Sequence, residues 1–297
     1  MAEFLQQVVS GLSSGGIYAG LALAISLIYR ATGVINFAQG EMAMFTTYIA
    51  WALTEHHGWS YWPAVAFTLL AAFVGGVAVE RLIVRPVQGV SVLAVVIVTL
   101  GIFVLLNGLA TAIWGGAQQS FPPGRPFPVR SFDVGGVVFS LQDILTVATS
   151  LALVACLFGF FRFTKAGLGM RAAAFNPAAS RLVGVRVGWM IAGGWGLAAV
   201  LGAVAGLLAA SSLGSFDPNL MRPVLLYAFA AAVLGGLDSP LGAVVGGLVL
   251  GVALNLLGTY VDFIGADLRL PSALAIILVV LLVRPAGLLG RASVGRV

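Results

Sequence analysis

The chain is short of charge, of cysteine, of histidine and above all of lysine, and each shortage closes off a class of chemistry. Only 8% of its 297 residues are Asp, Glu, Lys or Arg, against about 25% in an ordinary soluble domain. So few charges cannot cover the surface of a soluble protein of this length. The one cysteine, Cys156, can make no disulfide within the chain, and its place in an apolar run reads as a small packing residue. Two adjacent histidines, His56 and His57, cannot close a metal site alone, and neither H-E-x-x-H nor C-x-x-C occurs. The only lysine, Lys165, lies between Thr164 and Ala166, so the Gly-Lys-Ser/Thr end of a phosphate-cradling loop is missing. The chain calls for no cofactor of its own. Its net charge of +5 is spread singly between apolar runs, which is a topology signal and not a nucleic-acid-binding patch.

What is present is apolar sequence and glycine: 60% of the residues are hydrophobic and 39 are Gly. A spanning helix needs roughly 20 apolar residues. Segments that qualify or come close run near 11–29, 35–54, 61–84, 90–114, 141–163, 189–211, 223–236, 240–258 and 269–284. The expected fold is a single domain, 1–297: an all-α polytopic transmembrane bundle of about 8–9 spans with a broken or re-entrant helix. The segments 223–236 and 240–258, parted by Asp238-Ser239-Pro240, are read as two spans or as a re-entrant pair. The N-terminus lacks the basic start of a signal peptide and is expected to be retained. With the N-terminus outside and the C-terminus inside, eleven of the 15 basic residues fall on the inner side and four on the outer. Residues 115–140 then form an outer loop, with a small hairpin about Gly135-Gly136. Four-residue spacing of Gly16/Gly20, Gly202/Gly206, Gly242/Gly246 and Gly247/Gly251 predicts close helix contacts. A loose likeness between 35–84 and 223–258 hints at an internal repeat.

Polar side chains in lipid are costly unless they find partners or line a path. The densest set is Asn36, Gln39 and Glu41 at the start of the second apolar segment, beside Gly33 and Gly40. Two readings stand side by side. An unwound helix would turn these groups toward a cavity; an ordinary helix start would make Asn36 the N-cap and leave Glu41 in water. Asn107 and Asn255 lie deeper in their segments and read mainly as hydrogen-bonding groups between helices. Gly11-Leu12-Ser13-Ser14-Gly15 matches G-x-S-x-G literally, but it opens a membrane helix and not a strand-to-helix elbow. Small residues in a helix seam explain it better than a hydrolase does.

The stretch 164–188 is the most basic of the chain and its longest inner loop. Within it Asn176-Pro177 stops one helix and starts another, with Asn as N-cap and Pro at the first helical position. Ala178, Ala179, Leu182 and Val183 share a face, and Gly184 ends the turn. A short amphipathic helix of this kind suits a groove in a soluble partner; the alternative is a surface helix held by anionic lipid.

Four motifs in order resemble the bacterial branched-chain amino acid ABC-transporter permeases, the shorter of the two permease types. They are Gly16–Leu23 with Ile28–Glu41, the loop Ala166–Val185, Phe229–Ala243, and the tail Arg284–Gly290. Phe175 departs from the polar or acidic residue usual before the Asn-Pro pair. The resemblance implies a permease in the bacterial inner membrane that is not itself an enzyme, working with two ATP-binding cassette subunits, a second homologous permease and a periplasmic substrate-binding protein. ATP would be bound by the partner subunits. The residues expected on the substrate path are Asn36, Gln39, Glu41 and Asn107. The ATPase-coupling set in the cytoplasmic loop would be Met170, Arg171, Asn176, Pro177, Ala179, Arg181, Leu182 and Gly184, and 115–140 would be periplasmic. Permeases for urea and short amides share these motifs, and an ATP-independent channel or facilitator is the reading from another class.

Overall fold

The computed structural model describes residues 1–121, 130–261, 268–284 and 286–290. Among these, eleven α-helices dominate, all of them joined into a bundle without a closed sheet. The helices are α1 (Ala2–Thr32), α2 (Gln39–Glu55), α3 (Tyr61–Ala78), α4 (Val92–Trp114), α5 (Leu141–Phe163), α6 (Lys165–Phe175), α7 (Pro177–Leu182), α8 (Val187–Leu213), α9 (Met221–Gly235), α10 (Pro240–Tyr260) and α11 (Arg269–Val283). Six helical stretches are long and apolar enough to cross a membrane, whereas α9 and α11 have only 15 residues each. The chain is therefore an all-α membrane bundle.

Two helices, α1 and α8, are buried along most of their length, and the others wrap them. Glycine makes the centre compact. A Cβ at Gly15 would meet the Gly247 carbonyl oxygen at 2.8 Å, and one at Gly11 would meet Val252 Cα at 2.7 Å. The literal G-x-S-x-G thus forms the seam between α1 and α10. Three of the spaced pairs behave as expected: Gly202 and Gly206 admit Gln39, Ala43 and Thr47 of α2, Gly242 and Gly246 admit the backbone of α9, and Gly247 and Gly251 admit that of α1. Gly16 and Gly20 do not, since Gly16 faces Ser150 of α5 and a Cβ at Gly20 would meet only Ala205 of α8 at an ordinary 3.7 Å. Small residues let the backbones approach, which supplies the packing that lipid-solvated helices otherwise lack.

Several expectations shift. Helix α2 begins at Gln39, because residues 33–38 are non-helical and follow a left-handed Gly33 (φ 71°) that ends α1. Helix α3 runs on through a π-helical turn, Val79–Val84, and a 3-10 turn, Arg85–Val87. In it Glu80 is buried 3.9 Å from Arg81, whose guanidinium lies 3.7 Å over the Trp189 ring. Cys156 is not an interior packing residue: it lies on the outward face of α5, exposed. The hairpin is present, with β2 (Ser131–Val134) paired to β3 (Val137–Ser140) about the two glycines. A further pairing, β1 (Gln119–Ser120) with β4 (Ser215–Phe216), ties the 115–140 stretch to the end of α8. Arg125, Arg291 and Arg296, counted in the charge balance, lie outside the described residues.

Candidate functional site

The polar motif forms where the chain re-enters the bundle after α1. Asn36 makes an Asx turn, its Oδ1 accepting from the Ala38 N–H at 3.0 Å. Its Nδ2 donates to Gln39 Oε1 at 3.1 Å. Gln39 Nε2 in turn donates to the Ala198 carbonyl at 2.8 Å. Ala198 stands eleven residues into α8, or about 16 Å along its axis at 1.5 Å per residue. The motif therefore sits well inside the bundle. Asn36, Gln39 and Glu41 are all fully buried within the chain, so Glu41 is not the water-facing residue of an ordinary helix start.

Two residues apart on a helix, Gln39 and Glu41 point to nearly opposite sides. Gln39 faces α8 and is closely packed: a Cβ at Gly202 would lie 2.7 Å from its Nε2. With both ends of its amide bonded, Gln39 ties α2 to α8. Glu41 faces α4 and the start of α9. Asn107 Nδ2 donates to Glu41 Oε2 at 3.2 Å and to the Pro218 carbonyl at 2.8 Å. Arg222 Nε stands 3.8 Å from Glu41 Oε1, with its guanidinium 5.6 Å over the Phe103 ring. Its side chain remains 47% exposed.

The four expected path residues thus divide into two groups. Asn36 and Gln39 make one; Glu41 and Asn107 make the other, completed by Arg222 and Pro218. Arg222 reads in the sequence only as an outer-side basic residue. Its spacing from Glu41 carries no signal, since only the dip of residues 214–220 back into the bundle brings the two together. Above the Glu41 group is an aromatic cluster. Tyr48 stacks on Trp114 at 5.0 Å and meets Phe216 edge-on at 4.7 Å, while Trp51 Nε1 donates to the Ser120 carbonyl at 3.1 Å. Asn255, by contrast, bonds the Gln7 carbonyl and side chain at 2.9 Å and joins α10 to α1.

At the far end of the bundle, the loop 164–188 folds as the local sequence predicts. Asn176 Oδ1 accepts from the Ala179 N–H at 3.0 Å, Pro177 opens α7, and Gly184 takes φ 83°. Asn176, Pro177, Ala179, Arg181, Leu182 and Gly184 are exposed, as is Phe175. Leu182 and Val183 show 90% and 79% of their surface, an apolar tip left uncovered by the described residues. Met170 and Arg171 are placed differently. They are half-buried on α6 and line a cavity against α1, α5 and α8.

Comparison with known proteins agrees with this arrangement. Residues 7–283 match the family described as branched-chain amino acid transport system, permease component. The high-affinity branched-chain amino acid transport permease BraD of Pseudomonas aeruginosa is 32% identical, across 99% of this chain and 98% of that protein. LivH of Escherichia coli, a permease of the same description, is 31% identical over the same shares. The autoinducer 2 import permease LsrD of Klebsiella pneumoniae is 29% identical across 91% of this chain and 75% of its own. With a family match over nearly its whole length and full-length relatives above 30% identity, the chain belongs to the family of branched-chain amino acid transport permease components.

Proposed function

We propose that this permease forms part of the translocation path of a binding-protein-dependent ABC importer in the bacterial inner membrane, and that its cargo is a branched-chain or other hydrophobic amino acid. The N-terminus lies outside and the C-terminus in the cytoplasm, in keeping with the basic residues gathered at the α6–α7 end. Two ATP-binding subunits, a second permease and an external binding protein complete the machine. The exposed tip Asn176–Gly184 docks on an ATPase subunit, whose closure moves α6 and the helices above it.

The observation that carries the cargo reading is the pair of Glu41 and Arg222, with Asn107 donating to Glu41 and to the Pro218 carbonyl beside it. An amino acid at neutral pH is a zwitterion. Its ammonium can replace Arg222 as the partner of Glu41, while its carboxylate takes the half-exposed guanidinium. The loosely held pair, 3.8 Å apart, opens with little loss because each charge acquires a new partner as it gives up the old one. Weak binding of this kind suits a path, where a solute must also leave.

Leucine uptake by the whole transporter in reconstituted vesicles tests this. Glu41→Gln and Arg222→Gln each exchange a charge-assisted bond for a neutral one and should lower uptake about tenfold, near 1.4 kcal/mol. Unchanged uptake in both would remove the pair from the path. Competition by isoleucine, valine and urea addresses the second reading, a urea or short-amide permease, which the amides of Asn36, Gln39 and Asn107 favour. An uncharged cargo would be insensitive to loss of the charged pair. An ATP-independent facilitator would bring down no nucleotide-binding subunits on purification in mild detergent.

A further inference from the structure

A cavity of about 290 Å³ lies between α1, α5, α6, α8 and α10 at the α6–α7 end of the bundle. Its inner walls are hydrocarbon, with Leu23, Leu27 and Leu157 buried and Ile191 half-buried, and Phe158 stands at its open side. Such walls offer water no partners. Three arginines gather on the lining: Arg30 in the last turn of α1, Arg162 in the last turn of α5, and Arg171 on α6. Among the described residues no carboxylate lines it. The Nε of Arg171 is buried and has no hydrogen-bond partner among the described residues, a costly state for a guanidinium. The start of α10, Ser239–Leu241, adds the positive end of a helix dipole to the same lining. On the bilayer side, Phe158 and Phe163 of α5 are exposed.

From this juxtaposition we propose that the cavity is a binding site for an anionic phospholipid, with the phosphate held by Arg30, Arg162 and Arg171 and an acyl chain lying against the leucines and phenylalanines. The chemistry is complementary at both ends. Three guanidiniums without a carboxylate call for an anion, and guanidinium forks match phosphate oxygens. The dry remainder calls for hydrocarbon. A free phosphate satisfies the first and leaves the second empty. Arg30 and Arg162 also stand in the last turns of membrane-length helices, where lipid headgroups lie when the helices span the bilayer, and Arg171 faces them from α6. Bound there, the lipid joins α6, which leads into α7, to α1 and α5. This inference needs only the placement of the bundle in a membrane and is independent of the cargo.

The test is native mass spectrometry of the purified full-length chain, alone and in the assembled transporter, with added phosphatidylglycerol or phosphatidylethanolamine. Wild type should retain phosphatidylglycerol at least about tenfold more strongly, since each arginine near a headgroup contributes roughly a fivefold factor. Arg30→Gln, Arg162→Gln and Arg171→Gln together should abolish that preference. Gly194→Leu keeps every charge and fills the apolar part; Gly194 lines the cavity and a Cβ there meets nothing within 4 Å. It should lower retention of the lipid as strongly, and it keeps the test decisive where the triple variant does not fold. Equal retention of the two lipids by wild type would overturn the proposal. So would displacement by millimolar inorganic phosphate with no effect of Gly194→Leu, which marks a free-anion site. Lipid held by the isolated chain but excluded from the assembled transporter would show that a protein partner covers the cavity, and would likewise overturn it.

Discussion

The seam between α1 and α10 makes a sharp quantitative prediction through Gly247→Ala. A Cβ at Gly247 would stand 2.6 Å from both N and Cα of Ala19 and 2.8 Å from its Cβ. Ordinary contact begins near 3.4 Å, so the two helices must part by about 0.8 Å. The obstructing atoms are mainly backbone and cannot rotate away. A gap of that size forfeits a quarter to a half of each dispersion contact along the seam, and overpacking of a fitted interior costs about 1–3 kcal/mol. Against this, Ala gains up to about 1 kcal/mol in helix propensity over Gly. The net expectation is a loss of about 1–2 kcal/mol, or a thermal midpoint lower by about 2–4 °C at this chain length. Gly101→Ala in α4 is the matched control, because its Cβ would meet nothing within 4 Å. There the propensity gain acts alone and the midpoint should hold or rise. Thermal unfolding of both variants in one detergent, followed by tryptophan fluorescence, reads the difference. Equal midpoints for the two would refute the claim that backbone contact at this seam holds the bundle together.

The proposed docking of the exposed tip supports two further predictions. Asn176→Ala removes the cap of a helix only six residues long; at about 1 kcal/mol this should weaken ATPase association about fivefold, measured by titration in detergent, while Asn176→Ser retains most of it. Arg181→Glu, on the exposed tip, should uncouple ATP hydrolysis from transport in vesicles, with assembly intact on a sizing column. Normal coupling in that variant would place the ATPase contact elsewhere.

The parts of this protein legible in the sequence are those governed by local rules. The Asn176-Pro177 start of α7, the Gly184 stop and the Gly135-Gly136 hairpin depend on neighbours within four residues, and they form as the chain predicts. The apolar segments are equally readable, because lipid demands long hydrogen-bonded helices of nearly any sequence that is apolar enough. Less legible was the start of α2. Asn36 reads equally as a cap or as part of an unwound helix; in the structure its side chain closes an Asx turn in the non-helical stretch and bonds Gln39, which is itself held by a carbonyl of α8. Arg171 and Arg181 looked alike on the basic loop, yet one lines an internal cavity and the other is exposed. Cys156 sat in an apolar run whose period does not separate a lipid-facing side from a protein-facing one.

By itself, then, the sequence determined that the protein lives in lipid, carries no nucleotide loop ending in Gly-Lys-Ser/Thr, and offers a short capped amphipathic helix on a basic loop. Its order of motifs determined the family. Only the tertiary structure decided which polar residues meet. In hydrocarbon both faces of a helix are apolar, so periodicity cannot say where a side chain points. The partners of a buried charge are chosen by helix packing over long separations. The glycine seams set that packing, and with it the meeting of Glu41, Asn107 and Arg222.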